Sequence, residues 1–138
     1  MDRKALVDEM LDHWELTWTD DIIARVERSS EDARARLGEL FGLAPSSENF
    51  TVEMALRDWA RRDPAIAERL RRVDNRRMGY LRALFRQISA DDDEAEARSM
   101  LAYSLVIGSY FIAADHGERT RAQVLTLAAA RLLRDTRD

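Results

Sequence analysis

Leu6, Val7, Met10, Leu11, Trp14 and Trp18 stand three and four residues apart, and spacing of that kind recurs along nearly the whole chain. It is the period at which side chains stack on one face of an α-helix, whereas a strand needs apolar and polar residues to alternate. No segment alternates in that way. Helix breakers are also scarce, with five glycines and two prolines in 138 residues. The spacing therefore predicts an all-α fold, a helical bundle. The length predicts one domain over residues 1–138 that buries a core without cross-links.

The first helix is expected from Asp2 to Trp18, and Thr19 followed by Asp20 and Asp21 reads as a cap opening a turn or new helix through Ile22, Ile23 and Val26. Ser29 with Asp32 approximates a capping box before Leu37, Leu40 and Phe41. The run GLAPSSEN (42–49) supplies the longest expected loop, and a short helix follows from about Phe50 to Arg62. Asp63 is a good N-cap, and Pro64 lacks only an N–H that a first helical residue would leave unpaired. A long helix then runs to about Ser89, with Ile66, Leu70, Val73, Leu81, Leu84, Phe85 and Ile88 in one stripe. DDDE (91–94) puts anions at the next helix start, where the macrodipole favours them. It lacks the alternating ligands and central glycine of a calcium loop.

Residues 94–115 are apolar on more than one face, and after a DHGE turn the last helix is apolar again. Two adjacent helices with surplus apolar faces predict a homodimer. The interface is expected at Leu105, Gly108 and Ile112 on one helix, and at Val124, Leu125, Ala128 and Leu132 on the other.

Several chemistries are excluded. There is no cysteine, and His13 and His116 lie far apart, so neither a metal centre nor a cofactor is expected. No nucleophile–base set and no glycine-rich phosphate loop is present, and an enzyme is not expected. The N-terminus MDRKALVDEMLDHW is charged throughout, unlike a signal peptide. The longest charge-free run, residues 99–114, is too short to span a bilayer. A cytoplasmic protein without a membrane partner is the expectation.

Net charge is −4, yet between Met54 and Gln87 ten arginines meet four acids, leaving about +6 there and about −10 elsewhere. Lys4 is the only lysine, a bias read as genomic composition rather than guanidinium recognition. Arg69, Arg72, Arg76 and Arg86 fall off the apolar stripe and are expected in solvent. Arg77 stands four residues from both Val73 and Leu81, in line with the core, and so needs a carboxylate: Asp74, Asp58 or Glu53. Arg57, Asp58, Asp74 and Arg77 are expected to form a structural polar network at the Asp63-Pro64 corner.

The chain carries more aromatic and methionine side chains than a small core needs. Trp14, Trp18, Phe41, Met54, Trp59, Met78, Tyr80, Tyr103 and Ile107 are the candidates to line a cavity for a small apolar or amphipathic ligand. Plain core packing is the competing explanation for the same residues.

Taken together, MALRDWARRDPAIAERLRRVDNRRMGYLRALF (54–85) and YSLVIGSYF (103–111) resemble the C-terminal domain of TetR-family transcriptional regulators. The matching features are Trp59-Ala60, the Asp63-Pro64 restart, Val73-Asp74 with Arg77, Tyr80-Leu81 and Ile107-Gly108. RKALVDEMLDHWE (3–15) resembles the helix that follows the DNA-binding unit in that family, so the likeness covers most of the chain. It implies a ligand held among the first five helices and a four-helix dimer interface built from the last two. It also implies DNA contact only through a helix-turn-helix that this sequence does not contain. Two other readings stand beside it: a module forming mixed dimers with full-length regulators through residues 100–133, and direct nucleic-acid binding by the arginine face.

Overall fold

The computed structural model describes residues 2–43 and 47–137, and among them the fold is all-α. The helices are α1 (Arg3–Glu15), α2 (Asp21–Ser29), α3 (Ala33–Gly42), α4 (Ser47–Ala60), α5 (Pro64–Arg86), α6 (Asp92–Gly108) and α7 (Arg121–Leu132). Side-chain caps start most of them. Asp2 accepts from the Ala5 amide at 2.7 Å, Asp32 from Ala35 at 2.9 Å and Asp91 from Glu94 at 2.8 Å. At the α4–α5 corner, Asp63 accepts from Ala65 at 2.9 Å and Pro64 opens α5. Thr120 and Gln123 close a full capping box on α7. The turn before α7 needs Gly117, whose φ of 67° is left-handed.

Two expected starts are corrected. Thr19-Asp20 caps nothing: α1 runs into α2 through a π-helical turn, Leu16–Asp20, in which the Asp21 amide reaches back five residues to the Leu16 carbonyl. The inward-facing positions, buried or half-buried, explain it. Leu11, Trp14, Trp18, Ile22 and Val26 include three successive steps of four. Each step overshoots a 3.6-residue turn by about 40°, and one wider turn takes that drift back. Ser29 likewise does not cap α3; its hydroxyl donates to the Val26 carbonyl at 2.7 Å, and Asp32 serves instead. The expected loop at 42–49 is shorter than the sequence suggested, since α3 includes Gly42 and α4 begins at Ser47; residues 44–46 lie outside the described ones.

Helix α5 is the axis, packing mainly against α4 and α6 and also against α3. A buried cluster joins Leu37 of α3, Leu84 and Phe85 of α5, Ile88, and Ala95 and Ala102 of α6. The alanines let α6 approach α5 closely, and Phe85, with no exposure, fills the space. Truncating such a phenylalanine to alanine typically costs about 3–5 kcal/mol. No helix among the described residues is long and apolar enough to cross a membrane.

Arg69 is not in solvent. Its guanidinium meets Asp12 at 2.5 Å and Glu15 at 2.9 Å, tying α5 to α1. Burial alone would lower its pKa, but these two carboxylates outweigh that and raise it. Arg76 reaches Asp20, Arg82 pairs with Glu96 and Arg86 lies 3.4 Å from Asp92. Much of the positive charge on α5 is thus matched by acids on the helices around it.

Candidate functional site

A cavity of about 120 Å³ opens between the first helices and the middle of the bundle. Trp18, Thr19, Ile22 and Ile23 form one wall, and Leu40, Phe41 and Leu43 at the end of α3 form the next. Phe50, Leu81, Ala102, Val106 and Ile107 close most of the rest, while Glu53, Arg77, Tyr80 and Tyr103 bring polar groups. The π turn presents Trp18 and Thr19 together at the wall. Phe50 is held by stacking on Tyr110 at 3.5 Å between centroids and by an edge contact with Phe111.

The polar end has a defined hydrogen-bond plan. Glu53 is 3% exposed and is its centre. One carboxylate oxygen accepts from Arg77 Nη1 at 2.6 Å and from Arg57 Nη2 at 3.1 Å. The other accepts from the Trp14 indole at 3.1 Å and from Arg77 Nη2 at 3.3 Å. Arg77 Nε donates to the Thr19 hydroxyl at 3.0 Å, and the guanidinium lies 5.3 Å over the Trp14 ring. Arg57 pairs with Asp74 at 2.8 and 3.1 Å. The Tyr103 hydroxyl donates to Asp74 at 2.5 Å and accepts from Arg57 and Arg77 at 3.1 and 3.0 Å.

The electrostatics follow from this plan. Burial alone would lower the pKa of Arg77 and Arg57. Tyr103 and Glu53 outweigh burial at Arg77, and Asp74, Tyr103 and Glu53 do so at Arg57, so both are raised. The Tyr103 phenol is pushed up to about 12, mainly by burial and then by Asp74, against the opposing pull of the two arginines. It is therefore a neutral donor at ordinary pH. Tyr80 is also raised, first by burial and then by Glu27, to which its hydroxyl donates at 2.7 Å across to α2.

Of the nine candidate lining residues, Trp18, Phe41, Tyr80, Tyr103 and Ile107 reach the cavity. Trp14 sits behind it, buried, positioning Glu53 through its indole N–H. Met54, Trp59 and Met78 are half-buried and do not line it. In the polar network Arg77 takes Glu53 as its carboxylate rather than Asp74, which serves Arg57. Asp58 lies outside it, exposed, beside Arg61 and Arg62. Glu53 stands four residues before Arg57, a spacing that put it on the same face and could have singled it out.

The expected interface residues divide. Ile112 is exposed, whereas Leu105, Gly108, Val124, Leu125 and Ala128 are half-buried. Leu132 is half-buried too and packs against the chain's own core. The bare apolar side chains of these two helices are instead Met100 and Leu101 at 58% exposure and Leu127 at 55%. A methyl group added at Gly108 would meet nothing within 4 Å, so no contact inside the chain requires that glycine.

Compared with family models, with curated proteins and with solved structures, the chain matches none of them.

Proposed function

We propose that this chain is an effector-binding and dimerisation domain of the kind found in TetR-type regulators, sensing a small apolar or amphipathic molecule. The cavity beside the π turn carries the proposal, because its walls are almost wholly apolar while one end bears a fixed set of hydrogen-bonding groups. Its size limits the occupant. An apolar cavity of about 150 Å³ holds benzene, so a cavity of about 120 Å³ suits a single small ring unless its walls part. Toluene is a direct probe. It should raise the melting temperature in a concentration-dependent way, as any ligand of the native state does. Filling the cavity with Val106→Phe should abolish the effect; a wild-type protein indifferent to toluene would sink the proposal.

The dimer half of the proposal is supported by Met100, Leu101 and Leu127, bare on neighbouring helices that pack on each other. Sedimentation should give a dimer that Leu101→Glu with Leu127→Glu converts to monomer. The same face would serve mixed dimers with longer regulators. That reading wins if the wild-type chain is monomeric alone and pairs only when such a partner is added.

A further inference from the structure

We propose that the ligand of this cavity is a neutral molecule with a hydrogen-bond acceptor, such as a small cyclic ketone, ether or ester, received by the hydroxyl of Thr19 and one N–H of Arg77. This rests on the effector-binding reading above and specifies what that site takes. The acceptors at the polar end are occupied. A carboxylate offers about four lone-pair positions, and Glu53 receives Arg57, Trp14 and Arg77 twice. The Tyr103 oxygen takes two donors and spends its own proton on Asp74. What remains is the second lone pair on the Thr19 oxygen, together with the Tyr80 oxygen, whose own proton goes to Glu27.

Donors do remain. Of the five N–H bonds of a guanidinium, Arg77 uses Nε on Thr19, both on Nη1, and one on Nη2. The second Nη2 hydrogen has no acceptor among the described residues. Thr19 is 2% exposed and lines the cavity; its oxygen accepts from Arg77, and its proton likewise has no acceptor among them. A buried hydroxyl without an acceptor is costly, and a ligand oxygen beside it removes that cost.

Charge excludes the ionic alternatives. Arg57 and Arg77 are balanced by Glu53 and Asp74. A carboxylate or ammonium ligand would add an uncompensated charge to an apolar cavity, or would have to displace a member of this set. The π turn adds a separate indication: such turns concentrate at functional sites, and this one contributes Trp18 and Thr19 to the wall.

Three probes of one shape test the inference: cyclohexanone, methylenecyclohexane and cyclohexanecarboxylate, titrated calorimetrically into the intact chain. The ketone should bind at least tenfold tighter than the alkene, since about tenfold is the yield of a single neutral hydrogen bond, and the carboxylate weakest. Thr19→Val should cut the ketone's advantage about tenfold and leave the alkene unchanged, while Thr19→Ser keeps the preference. Equal binding of ketone and alkene to the wild type, or tightest binding by the carboxylate, overturns the inference and leaves the effector cavity standing. No binding of these probes or of toluene overturns the cavity reading and the inference with it.

Discussion

Two arginines inside the bundle, the half-buried Arg77 and the buried Arg98, are held by opposite means. Arg77 lies against a carboxylate, Glu53, with a phenol, a threonine and an indole around them. Arg98 of α6 is 7% exposed and donates to no carboxylate among the described residues. Its Nε and Nη2 donate to the Leu132 carbonyl, Nη2 also to that of Arg134, and Nη1 to the Ile88 carbonyl at 3.1 Å and the Ser89 hydroxyl at 3.0 Å. Those carbonyls lie where α5 and α7 end, so one guanidinium closes two helix C-termini, where the dipoles favour a cation. Burial lowers the Arg98 pKa, with Glu94 and Asp135 opposing only in part. All five of its N–H groups are spent, and it can only be structural. Arg77 keeps one in reserve beside a cavity. The lesson is that leftover hydrogen-bond capacity, rather than burial or charge, separates a binding arginine from a staple.

The difference can be broken by mutation, and the largest effect belongs to Glu53. Glu53→Leu strands the buried charge of Arg77 and should cost about 3–5 kcal/mol in urea unfolding. Arg98→Met strands only neutral carbonyls and should cost about 2–3 kcal/mol. A reversed order would refute the distinction between the two sites.

The next effect is alkaline. The Tyr103 phenol ordinarily titrates near 10 and stands at about 12 when folded. The folded state therefore favours the protonated form. That contribution is complete below pH 10 and is lost as pH rises through 12; it is on the order of 2 kcal/mol. Melting temperature followed from pH 9 upward should fall over this window, and less steeply in Tyr103→Phe. The smallest effect is expected at an exposed arginine. Arg71 pairs with Glu68 on the open face of α5, and Arg71→Gln should leave the melting curve unmoved, as surface ion pairs contribute little.

Legibility in the sequence follows how local each cause is. The Asp63-Pro64 corner and the acidic start of α6 could be read directly, because a cap concerns four adjacent residues. The π turn could not: Thr19-Asp20-Asp21 has good cap chemistry, and what overrides it is the need of Trp18, Ile22 and Val26 to face one interior. Arg98 was invisible for a similar reason, since its acceptors arrive from 9 to 36 residues away. The candidate cavity was half legible. Aromatic residues marked Trp18, Phe41, Tyr80 and Tyr103, but nothing in composition separates them from Trp59, which lies elsewhere. Thr19, an ordinary residue by type, gains its place only through the turn that carries it.

That turn also works as a coupling between two lengths of one rod. A residue in an α-helix advances the outward face by about 100° and the axis by about 1.5 Å. Adding or removing a single residue within Leu16–Asp20 would thus swing all of Arg3–Glu15 about its axis relative to the cavity wall. Leu6, 51% exposed, stands about 20 Å along the helix from Thr19, and the direction it faces is set by the winding at the site where Trp18 and Thr19 meet the cavity.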